Sequence, residues 1–270
     1  MSNINISQNI SKVTNNTHGN TSQNNQHVIS KETIQRLASD IKMLLKDPLD
    51  NHNIYYKHDT DDILKGYALI IGPKNTPYEN GFYLFEFNFP YNYPYSPPKV
   101  VFCTGDGSTR FHPNLYVNGK VCLSVLNTWK GEQWTGCQTI SSILLSLITI
   151  FNENPLENEP GITNKHKDFY IYNTIIMYKN LETAIYKLLT NKTYINLESS
   201  KFNCFYDIII NNFVKKYDDI IANIEIQKKL IHEKNLSSKY ISTSIYNLTV
   251  KIDYDKLNNN IIKFKNNIQR

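Results

Sequence analysis

Phe111-His112-Pro113-Asn114-Leu115-Tyr116-Val117-Asn118-Gly119-Lys120-Val121-Cys122-Leu123 carries more information than any other part of the chain. Taken singly its pieces are ordinary. A His-Pro-Asn triplet marks a turn, and a lone cysteine packs as a small buried hydrophobe. Their order is distinctive: Phe89-Pro90-Tyr91-Asn92-Tyr93-Pro94-Tyr95-Ser96-Pro97-Pro98-Lys99-Val100 comes before, Cys122 stands eight residues after Asn114, and Trp134 follows.

N-terminal to this stretch the pattern is that of strands behind a helix. Ile34, Leu37, Ile41, Leu44 and Leu45 recur at helical spacing from Lys31, and Lys46-Asp47-Pro48 closes the helix. Short β-rich runs follow at 54–57, 67–71, 82–89 and 100–102, punctuated by Gly72-Pro73, Asn80-Gly81 and the proline cluster at 90–98. Short connections between such runs predict an antiparallel meander. C-terminal to the stretch, Ile143, Leu144, Leu147, Ile148 and Phe151 make an amphipathic helix that stops before Asn154-Pro155.

Beyond Gly161 the chain reads as all-helical. Phe169, Tyr172, Ile175 and Ile176, then Phe213, Tyr217, Ile220 and Ile224, then Tyr254, Leu257, Ile261, Phe264 and Ile268 form three stripes. Such stripes have to be buried, so the extension over 162–270 is expected to pack on the core or on a partner. Residues 1–30 hold too few apolar side chains to offset ordering entropy and read as a disordered polar tail.

Bulk numbers bound the function. The 270 residues are 40% hydrophobic, enough for a sizeable core, and the segment 1–30 has no apolar run of the kind a secretion signal needs. The longest apolar stretch, 143–151, is too short to span a bilayer. Cys103, Cys122, Cys137 and Cys204 form no Cys-x-x-Cys pair and have no histidine at a zinc-like interval, so no metal site is expected. The reducing cytoplasm or nucleus is the expected compartment, where a free thiol can do chemistry.

The net charge of +5 is uneven. Residues 1–161 hold 12 Lys+Arg against 14 Asp+Glu, and residues 162–270 hold 17 against 10. The lysines of the basic half lie scattered among Asn and Tyr without a binding motif, which reads as solvated surface rather than a nucleic-acid site.

In this order the motifs resemble the ubiquitin-conjugating (E2) enzymes, and the likeness is close over 31–161. It is closest to members with a long helical C-terminal extension that read Asn118-Gly119-Lys120-Val121-Cys122-Leu123-Ser124 at the active cysteine. That subgroup includes the E2 that charges with both ubiquitin and a second ubiquitin-like modifier, and the E2 module of a giant inhibitor-of-apoptosis protein. The stretch Asn152-Glu153-Asn154-Pro155-Leu156-Glu157-Asn158-Glu159-Pro160-Gly161 also fits it.

The resemblance implies an α/β (α+β) UBC fold, a four-stranded antiparallel meander flanked by helices, with a core domain over 31–161 and the helical extension packed against it. It implies that Cys122 carries ubiquitin or a relative as a thioester. A thiol accepts an acyl group from another thioester at nearly equal energy, which makes it a reversible carrier. Asn114 either donates a hydrogen bond to the oxyanion when an amine attacks or supports the loop, and such a donor is worth a factor of about 100–1000 in rate. His112 suggests a Cys/His dyad, but the resemblance makes its ring structural, together with Pro113, Ser124 and Trp134. A hydrolase would also need a third group to orient the histidine.

Departures from the family pattern matter. Ser124 stands where many members have an acidic residue two positions after the cysteine. Glu157 lies nearest to a second acidic or serine position, where a carboxylate could position the incoming lysine, and it reads equally as a solvated loop charge. The loop between Cys122 and Trp134 is about four residues longer than in minimal members and holds Trp129; it reads as a shield for the thioester, as a partner contact, or equally as a subgroup feature filled by core packing.

Arg36 matches a basic position that contacts the activating enzyme (E1), and Tyr95 an aromatic that ligases (E3) grip. The ligase loop reads Trp134-Thr135-Gly136-Cys137, without its usual proline. The implied partners are the modifier, an activating enzyme, a ligase and protein substrates, with no membrane. No bound cofactor is implied, since ATP is used by the activating enzyme. The rival reading is a non-catalytic E2 variant that only binds ubiquitin, a class that lacks the cysteine.

Overall fold

The computed structural model describes residues 28–190, 201–234, 236 and 240–268. The polar tail expected over 1–30 lies, as far as residue 27, outside the described residues.

Helix α1 (Lys31–Lys46) starts where the Ser30 side chain accepts a hydrogen bond from the Thr33 amide at 3.0 Å, pairing one of the amides that a first turn leaves open. The Thr33 hydroxyl in turn donates to the carbonyls of Tyr91 and Tyr93, both at 2.8 Å, which pins the proline-rich segment to the helix. Leu37, Asp40 and Leu44 share the buried face.

Strands β1 (Ile54–His58), β2 (Lys65–Ile71), β3 (Phe82–Asn88) and β4 (Lys99–Phe102) pair antiparallel in chain order. Phe85 faces Ala68 across one seam and Phe102 across the next. Residues 66–71 of β2 and 82–85 of β3 are buried without alternation, so both faces of the sheet are covered.

The period of two assigns each cover. Tyr83 and Phe85 meet Phe151, just past helix α2 (Ile140–Thr149), at ring distances of 4.5 and 6.4 Å. On the other face Glu86 pairs with Lys201, and Tyr67, which lies opposite Glu86 in the register, meets Phe202 at 5.7 Å. Beyond β4 the Thr104 hydroxyl continues the pairing of β3, accepting from the Leu84 amide at 2.9 Å and donating to the Phe82 carbonyl at 3.0 Å.

The extension joins the core through helix α3 (Phe169–Lys179), which runs into the π-helical segment Asn180–Lys187. Buried Asn180 accepts from the Tyr83 hydroxyl at 2.6 Å and donates to the Glu79 carbonyl at 2.9 Å. Residue 81 has to be glycine for this, because a Cβ there would stand 1.8 Å from Asn180 Oδ1. Beside it Lys179 pairs with Asp106 at 2.9 Å and Glu182 at 2.8 Å.

Helix α4 (Tyr206–Glu233) and helix α5 (Tyr254–Ile268) complete the extension, with Phe213 against Phe264 at 5.6 Å and Tyr178 against Tyr254 at 5.2 Å. One expectation is corrected here. The extension is not all-helical, since β5 (Tyr240–Ser242) and β6 (Thr249–Lys251) form a two-stranded hairpin. Each strand has three residues with only the middle one, Ile241 or Val250, turned inward. That is too short for a period of two to show against the flanking helical pattern.

Candidate active site

The segment after β4 folds back on itself. Single bridges join Val101 to Lys120 and Leu115 to Val121, so residues 114 and 122 come side by side. Gly119 closes this turn at φ +85°, and a Cβ there would stand 2.9 Å from the Phe102 carbonyl.

Asn114 and Cys122 are paired through both main chain and side chain. The Cys122 amide donates to the Asn114 carbonyl at 2.9 Å, and Asn114 Nδ2 donates to the Cys122 carbonyl at 2.6 Å. Asn114 Oδ1 is buried with no hydrogen-bond partner among the described residues. The amide of Asn114 therefore acts in this state as a fastener for the turn.

His112 is fully buried, and its Nδ1 accepts from the Asn114 amide at 3.0 Å. Burial, with the Arg110 charge adding to it, lowers its pKa to about 3. The ring is neutral at any ordinary pH and shapes the turn. Pro113 and Trp134 are buried as well, and Trp134 donates from Nε1 to the Pro94 carbonyl at 2.6 Å.

Cys122 is 1% exposed. The loop after it folds onto both of its neighbours through Thr128, whose hydroxyl donates to the Val121 carbonyl at 2.9 Å and accepts from the Leu123 amide at 2.9 Å. Ser124 starts a single 3₁₀ turn in this loop, and Trp129 is half-buried. Cys103, just past the end of β4, has its thiol pushed up to about 11 by burial.

Glu157 projects from the turn Pro155–Asn158, whose Pro155 and Leu156 are buried while Glu157 is exposed. Asn173 of α3 donates to the Glu153 carbonyl at 3.1 Å, tying that turn to the extension.

The partner-contact candidates divide. Tyr95 is 72% exposed, with its hydroxyl 3.2 Å from Glu32, and Thr135 and Gly136 are exposed beside it, Gly136 standing next to the Pro94 carbonyl. Arg36 is different. Its Nε donates to Asp40 at 2.8 Å, one terminal nitrogen to the Gly136 carbonyl at 2.6 Å and the other to the Gln138 carbonyl, so the whole guanidinium is engaged within the chain. It clamps α1 to the 134–138 loop.

Sequence reasoning missed Arg110. Its guanidinium lies between the rings of Tyr116 and Tyr246, 3.7 and 4.4 Å from their centroids, and donates to the Pro113 carbonyl at 2.5 Å. Its place two residues before His112 was a usable signal, but nothing local pointed to Tyr246. Among the described residues no group of three or more His, Cys, Asp or Glu is placed to hold a metal ion, and no helix is long and apolar enough to cross a membrane.

Comparison with known proteins matches the ubiquitin-conjugating enzyme family to residues 36–181, more than half of the chain. The zebrafish (Danio rerio) protein named ubiquitin-conjugating enzyme E2 Z is 38% identical over 192 residues, covering 70% of this chain and 56% of its own. Human E2 Z is 41% identical over 164 residues, covering 60% and 46%. The human dual E2 ubiquitin-conjugating enzyme/E3 ubiquitin-protein ligase BIRC6 is 35% identical over 176 residues, 61% of this chain and 3% of that protein. The chain spans about half the length of the E2 Z relatives it matches. The family match runs from α1 through the meander and the Asn114–Cys122 pair into the π-helical segment, and the chain therefore belongs to the ubiquitin-conjugating enzyme family.

Proposed function

We propose that this chain is an E2 transferase, accepting ubiquitin or a ubiquitin-like modifier from an activating enzyme on Cys122 and passing it to a lysine or to a ligase cysteine. The observation that carries the reading is the double pairing of Asn114 with Cys122 beside a buried, neutral His112. That arrangement shapes a turn around a thiol and offers no base, which suits acyl exchange and does not suit a hydrolase.

In loading, the Cys122 thiolate attacks the carbonyl of the activating enzyme's thioester, and that enzyme's sulfur leaves with the electron pair. In transfer, the lysine amine attacks, the new C–N bond forms, the C–Sγ bond breaks towards Cys122, and the amine loses its proton to water. Both sulfurs are of one kind, so thioester exchange is close to isoenergetic and needs neither metal nor nucleotide at Cys122. Because Cys122 is buried in this state, the site has to open for loading.

The same reading assigns Glu157 to positioning the amine, Tyr95, Thr135 and Gly136 to ligase contact, and the Arg36 face to the activating enzyme. It places the protein in the cytoplasm or nucleus, where thiols stay reduced. The presence of Cys122 and Asn114 speaks against a non-catalytic variant.

The test is charging with a panel of activating enzymes, ATP and modifiers, read on a non-reducing gel. A conjugate that dithiothreitol removes is expected, becoming resistant or absent in Cys122→Ser. Charging that persists in Cys122→Ala would overturn the assignment.

A further inference from the structure

Tyr246 comes from the extension, yet it joins the segment leading into Asn114 to the end of the turn that holds Glu157. Its ring covers the Arg110 guanidinium at 4.4 Å, and its hydroxyl donates to Glu159, two residues from Glu157. Arg110 lies on the Tyr116 ring on its other side and donates to the Pro113 carbonyl, next to Asn114. Planar stacking of this kind suits arginine and is lost with lysine. A second tyrosine of the extension, Tyr172, packs 6.0 Å from Tyr246 and donates to the Arg110 carbonyl at 2.8 Å.

The conformation of Tyr246 is itself unusual. It stands at φ +58°, in the left-handed region that a bulky side chain rarely occupies and that costs of order 1–3 kcal/mol unless its surroundings fix it. They do. One oxygen of buried Asp168 accepts from the Ser244 amide at 2.9 Å, the Ser244 hydroxyl at 2.6 Å and the Ile245 amide at 2.9 Å, holding the 244–247 turn against the start of α3. A tyrosine at φ +58° that follows a turn held by three hydrogen bonds to Asp168, with its ring on Arg110 and its hydroxyl on Glu159, is placed to do more than fill space.

Resting on the transferase reading above, we propose that Tyr246 is a positioning residue: through Arg110 and Pro113 it sets the Asn114 turn in register with the Glu157 turn, so that the extension governs transfer from Cys122 rather than its loading. The asymmetry follows from the chemistry. In loading the nucleophile is Cys122 itself. In transfer an amine has to be brought to the Cys122 thioester, form its C–N bond as the C–Sγ bond breaks, and give up a proton to water; on the reading above Asn114 and Glu157 both serve that step, so the relative placement of their turns enters it.

The test uses the full chain. Tyr246→Ala is expected to load Cys122 within about twofold of the unaltered protein and to discharge to free lysine about tenfold more slowly, as misplacement of a positioned group does. Discharge to a small thiol should stay near normal. Tyr246→Phe, which keeps the ring over Arg110 and drops only the Glu159 bond that ties Tyr246 to the Glu157 turn, should keep part of the lysine-discharge defect while loading stays normal. Amide exchange at Cys122, whose N–H is bonded to Asn114, should quicken in Tyr246→Ala and not in Tyr246→Phe.

If Tyr246→Ala fails to fold, Arg110→Lys carries the test and should show the same split. Lysine discharge at the unaltered rate, or loading and discharge falling by one common factor, would overturn the inference alone. Unaltered protein that accepts no modifier from any activating enzyme would overturn the transferase reading and this inference with it.

Discussion

Asn114 and Cys122 hold each other by two hydrogen bonds that cross: amide of 122 to carbonyl of 114 at 2.9 Å, side-chain amide of 114 to carbonyl of 122 at 2.6 Å. The second bond uses one of the two N–H donors of the side-chain amide and holds that nitrogen on the Cys122 carbonyl rather than on a developing oxyanion. On the proposed transferase reading, Asn114 can therefore act in two ways, by fixing the turn in the resting state or by releasing Cys122 when an amine attacks.

Replacing Asn114 separates these roles. If the amide acts on the transition state, Asn114→Ala should load nearly normally and discharge to lysine about 100-fold more slowly. Single-turnover loading and discharge assays, with a melting curve, check this. Equal loss in both steps together with a lower Tm would leave the side chain a fastener only.

Glu157 is exposed on its turn, free to meet an incoming amine. Glu157→Gln should slow lysine discharge, and the defect should widen as pH falls and less of the amine is free, while discharge to a thiol is unaffected. A pH series of discharge rates decides it. Parallel profiles for the two proteins would make Glu157 a solvated loop charge.

The cysteines should differ in reactivity. Cys137 is exposed, Cys122 is 1% exposed and Cys103 has its thiol pushed up to about 11 by burial. Alkylation near neutral pH should mark Cys137 first, with Cys103 and Cys122 at least about tenfold slower, since the thiolate is the reacting species and has to be reached. Peptide mass spectrometry over time reads the order. Cys122 labelled as fast as Cys137 would mean that the site stands open in solution.

Asp106 links acid stability to the extension. Burial alone would raise its pKa, but the Lys179 bond and the amides of Thr109 and Ser108 outweigh it, and the carboxyl titrates well below its ordinary value. A depressed folded-state pKa gives stability that is full above the unfolded value of about 4 and is lost as pH falls through the folded value. Asp106→Asn should cost about 2 kcal/mol at neutral pH and flatten the fall of Tm below about pH 4. Thermal melts of both proteins from pH 7 to pH 3 check the slope.

The resemblance was legible because it rests on residues close in sequence. His112, Pro113, Asn114 and Cys122 lie within one short stretch, and the Gly72-Pro73 and Asn80-Gly81 breaks delimit strands that the structure pairs in chain order. Antiparallel neighbours joined by short connections leave their register in the sequence, because the turn sets it. The small hairpin at 240–251 did not show, three residues being too few to establish a period.

What the sequence determined by itself was the meander, the helical stripes of the extension and the cysteine with its asparagine, all fixed by local spacing and turn chemistry. What only the tertiary structure decided was which distant side chains meet. Arg36 reaches Gly136 and Gln138, Asn180 locks onto Gly81 and Tyr83, and Tyr246 covers Arg110 across more than half the chain. These contacts depend on how the elements pack in three dimensions, and no periodicity records them, because the chain between their partners is long enough to bring any of several tyrosines or arginines to the same place.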